Sequence, residues 1–235
     1  MATMTLLEMT QNILSAMESD SVNDISDTEE SEQVATVIKE TYFDLIAQRD
    51  WSFLKEKTTL TAMADTTYPT KMRFPTDTNK VYWLKYNKKD VAWLPPKDFQ
   101  DLLDSRTEET DHVNAYGYRI DGDPQYWTSF DDDYVYFDAI DLAEDTTMQA
   151  SKSVAYVKVI PTWTHTNVGV PDLPEKMFPM LLADAKGTCF LNFKQTANAK
   201  EERKATRLRN KLQKEEQKNE QGESRTNSAV NYGRT

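Results

Sequence analysis

The side chains best equipped for chemistry are few: two histidines and one cysteine, against 39 Asp+Glu. His112 in "TDHVN" and His165 in "TWTHTN" sit in turn-like stretches with no partner at ligand spacing, and read as loop residues. A zinc site needs four nitrogen or sulfur ligands, or carboxylates in their place, so these three residues cannot build one alone. Cys189 falls on a helical stretch beside Phe190 and Phe193, the setting of a buried structural thiol. The densest oxygen cluster is Asp131, Asp132 and Asp133, with Asp121 and Asp123 ten residues earlier. Hard cations take such ligands. However, there is no D-x-D-x-D-G loop with a closing Glu, and three adjacent Asp on a turn point in different directions. A solvated hairpin tip is the expectation. No G-x-S-x-G, P-loop or dinucleotide fingerprint occurs, and the 6 glycines are too scattered to cradle a phosphate. No pair of carboxylates is singled out for acid–base work. The expectation is a chain without catalytic, metal or cofactor residues, and not an enzyme.

Tyr82, Trp83, Trp93, Tyr126, Trp127, Tyr134 and Tyr136 could form a stacking platform for bases or sugars. Nucleic acid would demand Lys and Arg between them, whereas the run 126–138 is interleaved with Asp. Core packing and subunit contacts account for these rings better.

The net charge of −11 conceals a split. Residues 1–150 carry 13 Lys+Arg against 30 Asp+Glu, a balance of −17, and residues 151–235 carry 15 against 9, a balance of +6. An acidic body disfavours adhesion to nucleic acid, which depends on cations neutralising phosphates. It also keeps a protein soluble. No apolar run approaches the ~18 residues a membrane helix needs. The start, "MATMTLLEMTQ", lacks the basic and apolar blocks of a secretory signal. The 11 Tyr, 9 Phe and 5 Trp argue for a packed core.

The elements that would carry these residues follow from periodicity. Leu6, Met9, Ile13, Leu14 and Met17 fall at helical spacing over residues 5–17. A second helix has Ser26 and Asp27 as N-cap candidates with Glu29 and Glu30 three residues on. Its apolar face is Val34, Val37, Ile38, Thr41 and Leu45, running to about Gln48. Each helix has one greasy stripe, so the two are expected to pair. Six or seven short β-branched and aromatic runs follow between 54 and 160, among them "KVYWLKY", "YGYRI", "YVYF" and "SVAYVKVI", interrupted by a short helix, "PKDFQDLLDS". Near 171 helical texture returns, with Asp172 as an N-cap candidate and Pro179 kinking or starting the main helix. From Lys194 to Gln221 helix formers persist with only Ala205, Leu208 and Leu212 as a narrow apolar stripe. The reading is an α+β fold, a helical bundle of N- and C-terminal helices with an inserted antiparallel β-domain, a small sandwich or barrel. Its divisions are 1–53, 54–170, one long helix over 171–221, and a flexible tail 222–235.

Four segments carry a family resemblance: "NIL" at Asn12–Leu14, "QRDWSF" at Gln48–Phe53, "RIDGDPQYW" followed by "DDYVYFDAI", and "VPDLPEKMFPML". In this order, from about residue 5 to 215, the chain resembles the tail tubular protein A-like head-to-tail adaptors of short-tailed bacteriophages, with Asp50 where glycine is usual before the tryptophan. The resemblance implies a structural virion protein of the neck, assembled in the bacterial host cytoplasm. It would form a ring of about twelve copies beneath the portal protein and above the tail nozzle or tube. Genome DNA would pass through the lumen without sequence-specific binding. The stripe Ala205, Leu208 and Leu212, with Arg209 and Tyr232, would dock on the portal or a neighbouring subunit. Trp51 with Phe53 would be a structural junction between helices and β-domain. The alternatives are another neck or tail-tube completion protein, or a glycan-binding or glycan-hydrolysing tail module using Trp127 beside Asp131–Asp133.

Overall fold

The structure, a computed structural model, describes residues 3–106 and 112–229, with side chains described through residue 218. The chain has an α+β fold, with an eight-stranded, mixed, curled half-barrel sheet set in the sequence between N-terminal helices and a C-terminal helix pair. Two compact units result, one of residues 1–53 with 161–235 and one of residues 54–160.

In the helical unit, α1 (Leu6–Ala16) starts at a reciprocal capping box, Thr5 accepting from the Glu8 N–H while Glu8 accepts from the Thr5 N–H. It buries Leu6, Met9, Ile13 and Leu14. Residues 161–170 join this unit through their backbone. Gly169 O accepts from Leu6 N–H at 2.7 Å and Asn167 O from Leu7 N–H at 3.3 Å, satisfying donors that a helix start leaves open. The second helix, α2 (Glu29–Ala47), is capped by Thr28 and Ser31 rather than by Ser26 or Asp27. Asp27 is occupied one turn earlier, its carboxylate accepting from the N–H of Asn23 at 2.7 Å and of Asp24 at 2.8 Å. Just past α2, Trp51 is buried and its indole N–H donates to Leu45 O at 2.8 Å.

The C-terminal part of this unit corrects the expectation of one long helix. It is a pair, α4 (Phe178–Lys194) and α5 (Ala199–Ala229), separated at Gln195, whose left-handed φ of 49° ends the first helix. The second is restarted by Asn198, whose side chain accepts from the Glu201 N–H. The two helices run antiparallel, as the pairs Asp184–Arg209 and Lys176–Glu215 show. Pro179 lies in the first turn of α4, where its missing N–H costs nothing. This helix is central, packed on α1, α2 and α5. It is accordingly buried on several sides, with Ala183, Ala185, Gly187 and Cys189 among its buried residues. Its small residues permit close approach, and a Cβ on Gly187 would already meet Glu202 Cγ at 3.4 Å.

Burial, reinforced by the nearby Glu30 charge, pushes the Cys189 thiol up from 9.0 to about 12. A thiol-reactive reagent at pH 8 is therefore expected to leave the native protein unmodified and to label it fully in denaturant, and prompt labelling of the folded chain would contradict this packing. The sign for stability follows. Because the folded value is the higher, the contribution of this group is intact below pH 9 and declines as pH rises toward 12.

The other unit contains β1 (Lys55–Thr58), β2 (Thr61–Ala62), β3 (Lys71–Arg73), β4 (Thr78–Tyr86), β5 (Lys89–Trp93), α3 (Pro96–Arg106), β6 (Tyr126–Thr128), β7 (Tyr134–Phe137) and β8 (Ser153–Val159). Strand order is β1-β8-β4-β5-β6-β7-β3-β2. All neighbours are antiparallel except β5 and β6, which makes the sheet mixed where a wholly antiparallel one was expected. The parallel pair arises because α3 forms the crossover between those two strands. The strands at the two ends of the sheet, β1 and β2, are separated only by Thr59 and Leu60. The sheet must therefore curl until its ends come within reach of two residues. The concave side is filled by Met72, Leu84, Trp127, Val135, Phe137 and Val157 with their neighbours. Asn87 and Lys88, both at positive φ, form the tight turn joining β4 to β5. Against the sheet, α3 buries Phe99 and Leu103 with Tyr118. Gly117, at φ +82°, is required there because a Cβ would lie 2.3 Å from Leu103 O.

Candidate interaction surfaces

The residues with chemical potential are distributed rather than gathered. His112 Nδ1 lies 3.1 Å from Asp121 Oδ2, on an exposed edge. His165 lies 3.4 Å from the indole nitrogen of Trp163, in the other unit. Asp123 receives Lys89 at 2.8 Å and Asn87 at 3.0 Å, which hold its carboxyl below the usual range and pin the β4–β5 turn. Asp131 Oδ1 accepts from the N–H groups of Asp133 and Tyr134, and the Asp132 N–H donates to Ser129 Oγ. The three acidic residues thus form the turn between β6 and β7. Among the described residues no three His, Cys, Asp or Glu side chains gather as a metal site, and no helix is long and apolar enough to cross a membrane.

Trp127 belongs to the core of the sheet, edge-on to Phe74 with ring centroids 6.0 Å apart. The exposed tryptophans are Trp83, 40% accessible, and Trp93, 55% accessible. They flank an open groove of about 750 Å³ that also touches Thr78, Ser129 and Asp132. This groove exists because β4 and β5 diverge after Leu84 pairs with Val91, so the first half of β4 no longer meets β5. Alternation of residue type along either strand could not reveal that divergence.

The remaining candidates lie in the helical unit. Ala205 and Leu212 are buried, Leu208 is half-buried, and Arg209 pairs with Asp184 of α4. The stripe therefore faces α4 of the same chain. Tyr232 lies outside the described residues. Trp51 and Phe53 are in ring contact, with centroids 6.3 Å apart.

Read from sequence only as a net basic extension, α5 in fact sorts its charges by face. Lys200, Arg203, Arg207, Lys211, Lys214 and Lys218 are all exposed. At 100° per residue they fall within an arc of about 80°, nearly opposite the face packed on α4. No carboxylate of α5 shares that arc, and among the described residues only Lys211 has an acidic partner, Glu215 at 4.0 Å. The spacing was present in the sequence, and the signal lay in testing cations, as well as apolar residues, for helical period.

Compared with known proteins, the chain matches no protein-family model and no curated protein.

Proposed function

We propose that this chain is a structural subunit of a short-tailed phage virion, a head-to-tail adaptor that assembles into a ring of about a dozen copies between portal and tail. The observation that carries the reading is the build of the helical unit. Both ends of the chain contribute to it, α1 and α2 from one and α4 and α5 from the other, with the strand-rich unit inserted between them. That order is the one expected of the family resembled. The exposed apolar side chains support it further, since Trp93, Phe130, Ile160, Val168 and Leu191 are all at least half accessible, as subunit contacts would require. In this reading the chain has no enzymatic activity and no cofactor. Its acidic residues limit adhesion of the genome passing through the ring.

Native mass spectrometry of the protein, alone and mixed with a short-tailed phage portal ring, tests the proposal. A closed complex of about a dozen copies, formed alone or on the portal, is the expected result. A chain that stays monomeric in both conditions would overturn it. In that case the groove beside Trp83 and Trp93, rather than Trp127, is the place to look for glycan binding.

A further inference from the structure

The helical unit carries two charged stripes of opposite sign on two different helices. On α5 the stripe is Lys200, Arg203, Arg207, Lys211, Lys214 and Lys218, all exposed, and spans about 27 Å at 1.5 Å per residue. On α2 the exposed face carries Glu29, Glu32, Glu40 and Asp44, with Lys39 its one cation. That face spans about 22 Å. Between the two helices in packing lies α4, which contacts both. The acidic face of α2 is thus turned away from α4, and the basic face of α5 is turned away from it as well.

Among the described residues, neither stripe is paired with another element of the chain. Among the described residues, Lys211 alone of the six cations has a carboxylate within 4.0 Å, and it is contributed by α5 itself. On α2, Glu29 accepts from Gln33 of the same helix, at 3.4 Å. A row of six like charges on one helix face repels itself, and it is relieved when a row of opposite sign lies alongside.

We infer that the basic stripe of α5 seats on the acidic outer face of α2 of a second copy of this chain. The two surfaces match in sign and nearly in length, and they occupy different places on the same unit. Such a contact is heterologous, head to tail. Each copy offers one stripe of each sign, so the contact repeats around a rotation axis and closes into a ring when the rotation permits. The inference deepens the ring reading above and rests on it, assigning one lateral contact to named residues. Duplex DNA is the competing occupant of a basic helix face. It is disfavoured because the N-terminal part of the same unit, residues 1–53, carries 2 Lys+Arg against 11 Asp+Glu, an acidity that repels phosphates.

Two charge-reversed variants test the pairing, each with its helicity checked by circular dichroism. One carries R203E, R207E, K211E and K214E on α5, and the other carries E32K, E40K and D44K on α2. All seven positions are exposed, so folding is expected to survive. Each variant alone presents two stripes of one sign and is expected to remain monomeric in native mass spectrometry. Their equimolar mixture is expected to recover rings containing the two variants in equal numbers, and these should dissociate as salt rises toward 1 M. If either variant alone closes the wild-type ring, or if the mixture fails to reassemble while the wild type assembles, the pairing is wrong and the ring reading stands. If the wild type never associates with itself or with a portal, both fall. If the α5 variant assembles normally but loses binding to a short DNA duplex, the stripe belongs to DNA and the inference is overturned.

Discussion

Replacing Trp51 with alanine is expected to destabilise the helical unit by about 3–5 kcal/mol, the cost of emptying a site shaped for the largest side chain. Trp51 is 1% exposed and lies just beyond α2, which ends at Ala47 with Gln48 as its C-cap. Its indole N–H donates to Leu45 O at 2.8 Å, satisfying one of the carbonyls that a helix end leaves without a partner. Removing the ring therefore costs apolar contacts and leaves a buried carbonyl unpaired. Trp51→Phe separates the two effects, since it keeps an aromatic ring but has no donor. It should lose less than the alanine variant, with about 1–2 kcal/mol of its loss due to the hydrogen bond. Urea titration followed by far-ultraviolet circular dichroism, which reports the helices, gives both numbers. A loss below about 1 kcal/mol for Trp51→Ala would show that the site collapses around the missing ring and that this residue does not hold the end of α2.

The second large effect is expected at Asp138, in the strand-rich unit. Its side chain is 1% exposed and fully engaged. Oδ1 accepts from the N–H groups of Gln125 and Tyr126, both at 2.8 Å, and Oδ2 from Arg106 at 3.1 Å. The Arg106 guanidinium is itself 13% exposed and also donates to the Asp138 backbone oxygen. One carboxylate thus ties the last residue of α3 to the beginning of β6 and the end of β7. Asp138→Ala takes the carboxylate away from two N–H groups and from a buried cation that keeps its bond to the backbone oxygen of residue 138, a loss of about 3–5 kcal/mol. Asp138→Asn retains one acceptor oxygen but turns an amide toward Arg106, and should fall between the alanine variant and the wild type. Near-ultraviolet circular dichroism through a urea titration would follow the aromatic core of this unit. An Asn variant as stable as the wild type would show that the backbone bonds, and not the charge, account for the stabilisation.

These two residues differ in how visible they are in the sequence. Trp51 stands out at the end of a long amphipathic run, and a tryptophan there announces burial before any fold is known. Asp138 follows "YVYF" as one more carboxylate in an acidic chain. Nothing within several residues of it shows that Arg106 and the Gln125–Tyr126 backbone converge on it. Its importance is a property of strand pairing and of where α3 ends.

The same division holds across the molecule. Helices α1 and α2 were determined by the sequence alone, because their apolar period, their acidic first turns and, for α1, a capping Thr–Glu pair are interactions over three or four residues. Most strands were legible for the same reason. Residues 71–73 were not, since three residues between turns carry no period. They become β3 only by pairing with β7 and β2. Tertiary structure also decided that β5 and β6 run parallel, that β4 and β5 part to leave a groove beside Trp83 and Trp93, and that α5 folds back on α4 at Gln195. It further decided which side of α5 is covered. The sequence contains both an apolar and a basic stripe on that helix, but local period cannot say which neighbour will arrive. The close-packed partner, α4, took Ala205 and Leu212 and left the six cations facing outward.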